Sequence, residues 1–362
     1  MKKILVIITT AFVEFGGLTT VMMNYYRNME KNGLRIDFAS TNAIDSTLNT
    51  ELKDNGSQYY NLGPRNSNPI KYAHNLDRLL KGGDYDVVHV NANSATVSLE
   101  LSVACKNNVP CKIVHIHNSI GNHKYMHKIL QPVLFHLCDV FLACSEKAGH
   151  WAYNDREFEV LNNAVDTKKY SFDQGRRKLI REKIAVTEDA FVIGHVGKIN
   201  EQKNHGFLLE VFNEFHKRYA NSYLLLVGDG ALRETIEVKA KDLGLIDNVI
   251  FAGMCSNVCD YLTAMDCFVF PSLWEGLPLS LIEAQSSGLP CVVSSNITQE
   301  SNVTQKVIYL SVDENTRIWS DKIYETMNQD RLSESQDNIE RIKNNGFDIY
   351  ENACALRKIY LG

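Results

Sequence analysis

The sequence predicts an α/β protein built from two doubly wound parallel sheets. Short apolar runs alternate with segments of helical period, the mark of strands joined by helices. A polar, basic stretch interrupts this alternation once, near the middle, and the pattern then restarts. The 362 residues exceed one ordinary core and suit two of about 150 to 200 residues each.

The first half places strands at Lys3–Thr9, Arg35–Ala39, Val87–Val90, Cys111–Ile116 and Val140–Ala143. The first helix carries Leu18, Val21, Met22, Tyr25, Tyr26 and Met29, an apolar stripe of helical spacing. Asp166–Lys183, with Arg176-Arg177-Lys178, reads as a linker plus a solvated helix. Strands resume at Phe191–Val196, Tyr223–Val227, Val249–Phe251, Cys267–Phe270 and Cys291–Ser294. Helices start near Asn204, Ala231, Asn257 and Pro278, and the tail Trp319–Leu361 reads as wholly helical and polar. The expected domains are 1–168 and 186–343, with a last helix in 344–362. Sheets of this kind bind ligands at the carboxyl ends of their strands, and the chemistry-bearing motifs all fall just after strands.

Composition narrows the function. Apolar content of 44%, charged content of 22% and a net charge of −5 describe a soluble globular chain without the basic field that nucleic acid requires. Met1-Lys-Lys with its short apolar run mimics a signal peptide, but no small-residue cleavage site follows, so a first buried strand is the better reading. No apolar stretch approaches the length of a membrane span. The nine cysteines are dispersed, several in apolar segments (Cys105, Cys138, Cys144, Cys267, Cys291), which suits reduced thiols in the cytoplasm. Cys255 and Cys259 lack a second ligand pair, so no zinc site is expected.

The most informative stretch is Glu275-Gly-Leu-Pro-Leu-Ser-Leu-Ile-Glu283, which follows the apolar run ending at Pro271. Gly276-Leu277-Pro278 reads as a tight turn into a helix, with Pro278 favoured as its first residue. An uncapped helix start offers free N–H groups and a positive dipole end, an anion site, and here a carboxylate stands on either flank. A nucleotide-sugar fits that arrangement; an acidic helix start fits it too. Lys198 and Lys203, after Phe191–Val196, can neutralise a diphosphate, or are a pair of solvated loop lysines. Gly16-Gly17 follows the first strand and permits close backbone approach, without the G-x-G-x-x-G spacing of a dinucleotide fingerprint. His115 and His117 share a face if the strand continues that far, and either could be a satisfied core histidine, the favoured reading for His115. Asp84-Tyr85-Asp86 precedes its strand, the wrong end for a metal motif, and reads as a solvated turn. His123, Lys124, His127 and Lys128, among Tyr125, Met126, Ile129, Leu130, Val133, Leu134 and Phe135, read as a basic amphipathic helix able to rest on an anionic membrane, or as an ordinary helix with a solvated basic face.

Four motifs in order resemble the retaining GT-B glycosyltransferases of family four: Phe15-Gly16-Gly17, Gly197-Lys198…Lys203-Asn204, Gly228-Asp229-Gly230, and the spaced pair Glu275/Glu283. The resemblance covers nearly the whole chain and is nearest to the polysaccharide-assembly branch. It implies two Rossmann-like domains facing a cleft, an N-terminal domain for the acceptor and a C-terminal one for the nucleotide-sugar, with the last helix returning to the first domain. It implies transfer of a hexose, with retention, from a nucleotide diphosphate sugar, by family frequency a UDP-sugar, to a glycan or lipid-linked glycan. No metal or other cofactor is expected. Gly16, Gly17, Lys198, Lys203, Pro278 and Leu279 are implied at the donor phosphates and Glu283 at the ribose. Met254 is implied at the base, and His117, Glu275, Gly276 and Leu277 at the donor sugar. His117, Glu275 and Lys203 are the implied catalytic set. Lys198 stands where the family usually has Arg, which keeps the charge but loses the bidentate fork. Asn163-Ala164-Val165-Asp166 matches a family turn and is given no chemistry. The expected setting is the cytoplasm, at the inner membrane face if the amphipathic segment touches lipid. The rival readings are a nucleotide-sugar epimerase on the same fold and a non-catalytic nucleotide-sugar-binding protein.

Overall fold

The computed structural model describes residues 1–14, 16–118 and 124–362. Phe15 and His123, singled out above, lie outside the described residues. Two compact units emerge: Met1–Ala164 with Ile349–Gly362, and Val165–Asp348.

In chain order the first unit runs β1 (Lys2–Ile8), α1 (Gly17–Asn28), β2 (Leu34–Ser40), α2 (Ser46–Asp54), β3 (Tyr59–Asn61), α3 (Pro69–Gly83), β4 (Val87–Ala92), α4 (Ser98–Lys106), β5 (Cys111–Ile116), α5 (Lys124–Leu137), β6 (Val140–Ala143), α6 (Glu146–Tyr153) and β7 (Glu159–Val160). The second runs α7 (Gln174–Lys183), β8 (Phe191–Val196), α8 (His205–His216), β9 (Ser222–Val227), α9 (Arg233–Asp242), β10 (Val249–Gly253), α10 (Val258–Ala264), β11 (Cys267–Phe270), α11 (Leu279–Ser286), β12 (Cys291–Ser294), β13 (Ile308–Leu310), α12 (Thr316–Glu325) and α13 (Arg331–Asn344). The last helix, α14 (Ile349–Leu361), belongs to the first unit.

Both sheets are parallel. The first has the order β3-β2-β1-β4-β5-β6-β7 and the second β10-β9-β8-β11-β12-β13. In each, strand order reverses beside the unit's first strand, between β1 and β4 and between β8 and β11. That reversal splays the following loops to opposite faces and leaves a crevice at the carboxyl edge. The central strands are buried on both faces, as crossover helices require. In the first unit Val21, Met22, Tyr25 and Tyr26 of α1 are buried, and the Tyr25 hydroxyl donates to the Asn162 carbonyl at 2.5 Å.

Several expectations need correction. The tail is not one polar helical run. It forms α12, α13 and α14, separated by short breaks; α12 and α14 bury apolar faces through Trp319 and Ile323 and through Ile349, Ala353 and Leu356, and α13 buries Ser335, Asn338 and Ile342. The helix that carries Arg176–Lys178 is solvated on one side, with Lys178 and Leu179 exposed, and anchored on the other. Arg181 of α7 is fully buried and donates to Asp266 at 2.6 Å, and Arg177 to the same carboxylate at 2.7 Å. The segment read as linker therefore packs into the second unit, because buried charges need partners. Pro278 is the residue before α11 rather than its first. Asp86 is not a free turn carboxylate: it accepts from the Lys3 backbone N–H at 2.7 Å. Cys105 is exposed on α4. The short strands β3, β7 and β13 were not anticipated.

Candidate active site

In the second unit the crevice residues lie on the loops after β8 and β11, the two strands at the reversal. The loop after β8 interlocks with the one after β9. Gly197 donates to the Val227 carbonyl at 3.0 Å and Ile199 to the Asp229 carbonyl at 3.0 Å. A side chain on Gly228, whose φ is +138°, would stand 2.1 Å from the Gly197 carbonyl oxygen. One on Gly230 would stand 2.3 Å from that of Ile199. Two loops this close tolerate only glycine there, which explains Gly228-Asp229-Gly230 physically.

Lys198 is exposed, and among the described residues it has no ion-pair partner. Lys203 ends the turn Glu201–Lys203 and reaches inward. Its Nζ lies 2.6 Å from Glu275 Oε1 and 4.4 Å above the Phe270 ring, with the two paired side chains only 14% and 10% exposed. Sequence placed these residues 72 apart in one site, and the fold brings them into contact. No side chain caps α11. The amides around Leu279 are therefore oriented at the carboxyl edge beside Glu275, Gly276 and Leu277. Met254 follows β10 and is exposed.

Glu283 lies one turn inside α11 and is buried. Burial raises its pKa to about 7, against the pull of a hydrogen bond from Tyr170 and the charge of Lys169. Tyr170 was invisible in the sequence as a site residue, since only the fold brings the former linker against α11. Below about pH 7 the carboxyl is protonated in the free chain. Its contribution to stability is present below about 4.5 and is lost as pH rises through about 7, so an ionised Glu283 needs hydrogen-bond donors. If ribose hydroxyls supply them, UDP affinity of the wild type is expected to fall about tenfold from pH 8 to pH 6. Glu283→Gln should lose that dependence and keep only the titration of the UDP phosphate itself. Calorimetry at both pH values checks this; parallel profiles in the two proteins would refute it.

Two histidines stand behind Lys203. The ring of His195 on β8 and that of His205, which opens α8, are edge-on at 4.6 Å, and His195 Nδ1 donates to the Val269 carbonyl at 2.9 Å. Burial, reinforced by neighbouring positive charge, lowers the pKa of both, that of His205 to about 4. They remain neutral, so the local cationic charge rests on Lys203.

In the first unit the residues at the carboxyl edge come from β1, β4 and β5. Gly16 precedes α1, and no side chain caps that helix. An added Cβ on Gly17 would meet nothing within 4 Å. Asn91 on β4 pairs in register with His115 on β5. His117 Nδ1 lies 2.9 Å from Asn163 Oδ1, and its Nε2 lies 2.9 Å from Asn91 Oδ1. Burial lowers the His117 pKa to about 4. A neutral imidazole has one donor and one acceptor. Reversing the Asn91 amide, whose Nδ2 lacks a partner as placed, lets it donate to Nε2 while Nδ1 donates to Asn163. Both ring nitrogens are thus engaged within the protein. Asn163, given no chemistry above, orients the candidate histidine, and Asn91 is a further residue that the sequence did not single out. Behind them His115 is buried against the His117 ring at 3.9 Å, and His89 donates to or accepts from the Tyr360 hydroxyl of α14 at 2.6 Å.

The amphipathic segment is also rearranged. His127 does not lie on a basic face: it is buried, accepts from the Ala95 N–H at 3.0 Å and stacks on Trp151. The outward face of α5 instead presents Tyr125 (89% exposed), Ile129 (68%), Met126 and Val133, with Lys124 and Lys128 exposed beside them.

Two doubly wound units with ligand-type residues at their carboxyl edges define a two-domain, Rossmann-like class of α/β protein. The comparisons place the chain within it. Residues 15–169 match the model for Glycosyltransferase Family 4 and residues 176–345 that for Glycosyl transferases group 1. EpsF of Bacillus subtilis, which carries a glycosyltransferase name, is 28% identical over 359 residues, spanning 95% of this chain and 93% of the relative. The UDP-Gal:alpha-D-GlcNAc-diphosphoundecaprenol alpha-1,3-galactosyltransferase of Escherichia coli is 26% identical over 317 residues, spanning 81% and 79%. The crystal structure of Anabaena HepE in complex with UDP-glucose aligns over 99% of both chains with a TM-score of 0.76 at 15% identity, a likeness of fold. The chain belongs to the family-four glycosyltransferases and has their GT-B fold.

Proposed function

We propose that this glycosyltransferase is a retaining, metal-independent enzyme of capsular or exopolysaccharide assembly. It moves a hexose from a UDP-sugar to a lipid-linked glycan at the inner face of the membrane. The observation that carries the donor reading is the Lys203–Glu275 pair beside the uncapped start of α11, at the strand-order reversal of the second unit. The complex of HepE with UDP-glucose and the lipid-diphosphate acceptor in the name of the E. coli relative support the choice of substrates.

In the proposed reaction the bond between the anomeric carbon and the UDP oxygen breaks, and the acceptor oxygen bonds to the same face. The acceptor proton passes to the departing phosphate, so no covalent enzyme intermediate forms. Lys203, Lys198 and the amides of Leu279 and its neighbours meet the charge that grows on that phosphate. Glu275 holds hydroxyls of the sugar, Glu283 those of the ribose, and Met254 borders the base. The ring nitrogens of His117 are engaged, so its part toward the sugar runs through its backbone.

The defining test is transfer from a panel of UDP-hexoses to a diphosphoundecaprenol-linked N-acetylhexosamine, followed by proton NMR. An α-linked product from an α-linked donor is expected; a β-linked product overturns retention, and a free epimer of the donor would favour the epimerase. Because cations and amides serve the phosphate, activity should survive EDTA. Loss of activity on chelation, restored by manganese, would contradict this part of the account.

Membrane contact is proposed through the outward face of α5, where apolar side chains alternate with lysines. The chain is expected to sediment with vesicles containing phosphatidylglycerol and to be released from them by Ile129→Asp with Lys128→Glu. Equal sedimentation of the variant would remove α5 from the contact.

A further inference from the structure

The chain has three tryptophans. Trp319 is fully buried and donates to the Ser311 carbonyl at 2.9 Å. Trp151 stacks on His127 with ring centres 4.4 Å apart. Trp274 differs: it is 54% exposed, and among the described residues its indole has no hydrogen bond and no ring contact.

Its backbone is nevertheless tightly held. The Leu273 N–H donates to the Gln202 carbonyl at 2.8 Å, and Gln202 Nε2 donates back to the Trp274 carbonyl at 2.8 Å. The next residue, Glu275, is bound by Lys203 at 2.6 Å. Residues 273–275 are thereby tied at three successive positions to the turn that carries Lys203. Large aromatic side chains normally bury their apolar area. Here the fold fixes one in water, at the carboxyl edge of the sheet, one residue before Glu275.

We infer that Trp274 is the aromatic wall of a pyranose subsite next to Glu275. A pyranose offers a face of C–H groups and a rim of hydroxyls. The indole supplies an apolar plane for the first, and a carboxylate accepts from the second. A nucleobase also stacks on indole, but Met254, the proposed base contact, follows β10, whereas Trp274 follows β11. Strands β9 and β8 lie between them, a separation of about 14 Å at ordinary strand spacing. The inference rests on the donor-site reading above, and the experiment distinguishes a donor pyranose from an acceptor one.

The experiment compares the wild type with Trp274→Ala and Trp274→Phe by calorimetry and intrinsic fluorescence. The probes are UDP, then UDP-glucose, UDP-galactose and UDP-N-acetylglucosamine, then the methyl glycosides of the same sugars with UDP present. Trp274→Ala should weaken at least one sugar-bearing probe by about tenfold or more while UDP affinity stays within about twofold. Trp274→Phe should recover most of the loss, and the indole emission change seen with that sugar in the wild type should be absent from both variants. A loss confined to the UDP-hexoses assigns the donor ring, and one confined to the methyl glycosides the acceptor ring. Unchanged binding of every sugar probe overturns the inference, as does an equal loss for UDP, which would make Trp274 a nucleotide contact. A wild type that binds no UDP would instead bring down the donor-site reading on which the inference rests.

Discussion

Lys203→Ala is expected to lower turnover about 10²- to 10³-fold, the usual effect of removing one group that meets charge developing on a leaving oxygen. UDP binding should weaken by about tenfold or more, since a charge-assisted contact is lost. Lys203 is paired with Glu275 in the free chain, so the variant also strands a largely buried carboxylate. That can destabilise the unit by itself. The double variant Lys203→Ala with Glu275→Gln removes the stranded charge and separates the two effects. It should recover thermal stability and should not recover UDP affinity. If it recovers both, Lys203 holds Glu275 in place and has no part in binding phosphate.

The two glutamates should fail differently. UDP contains the ribose but no hexose. Glu283→Ala should therefore weaken UDP and the intact donor alike, while Glu275→Ala should spare UDP and damage the donor. A hydrogen bond to a charged group contributes about 1.5 to 3 kcal/mol, so each loss should reach about tenfold or more. The contact between Glu275 and Lys203 sharpens this. In the free chain the lysine is shared with the carboxylate, so Glu275→Ala frees it for phosphate, and UDP affinity should hold or rise slightly. Equal loss of UDP affinity in both variants would refute the division of labour. No change in either would reduce the pair to an acidic helix start.

Much of this was legible in the chain because parallel strands buried on both faces read as continuous apolar runs. Val87–Val90, Cys111–Ile116 and Cys267–Phe270 fall within or match β4, β5 and β11. The edge strands β3, β7 and β13 were missed because they are only 2 or 3 residues long and half to fully exposed, too short for a period to register. The tail read as one polar helix because three amphipathic helices in succession average to a polar run. The sense of α5 was misread because period alone cannot say which stripe faces inward: His127 found a buried partner in the Ala95 N–H, and Ile129 did not. In the site, strand ends and glycine loops marked Lys203, Glu275 and His117 from sequence. Asn91 and Tyr170 left no such mark, and Asn163 showed only as part of a turn, since their roles consist of contacts between segments distant in the chain.

The central claim is that the carboxyl edge of the second unit binds a nucleotide diphosphate sugar through Lys203, Glu275 and the start of α11. Calorimetric titration of UDP at pH 8 into the wild type and into the double variant Lys203→Ala with Glu275→Gln tests it most directly. The account predicts one UDP per chain in the wild type and an affinity at least about tenfold weaker in a folded double variant. Equal affinity in the two proteins, or no binding to the wild type, would contradict it.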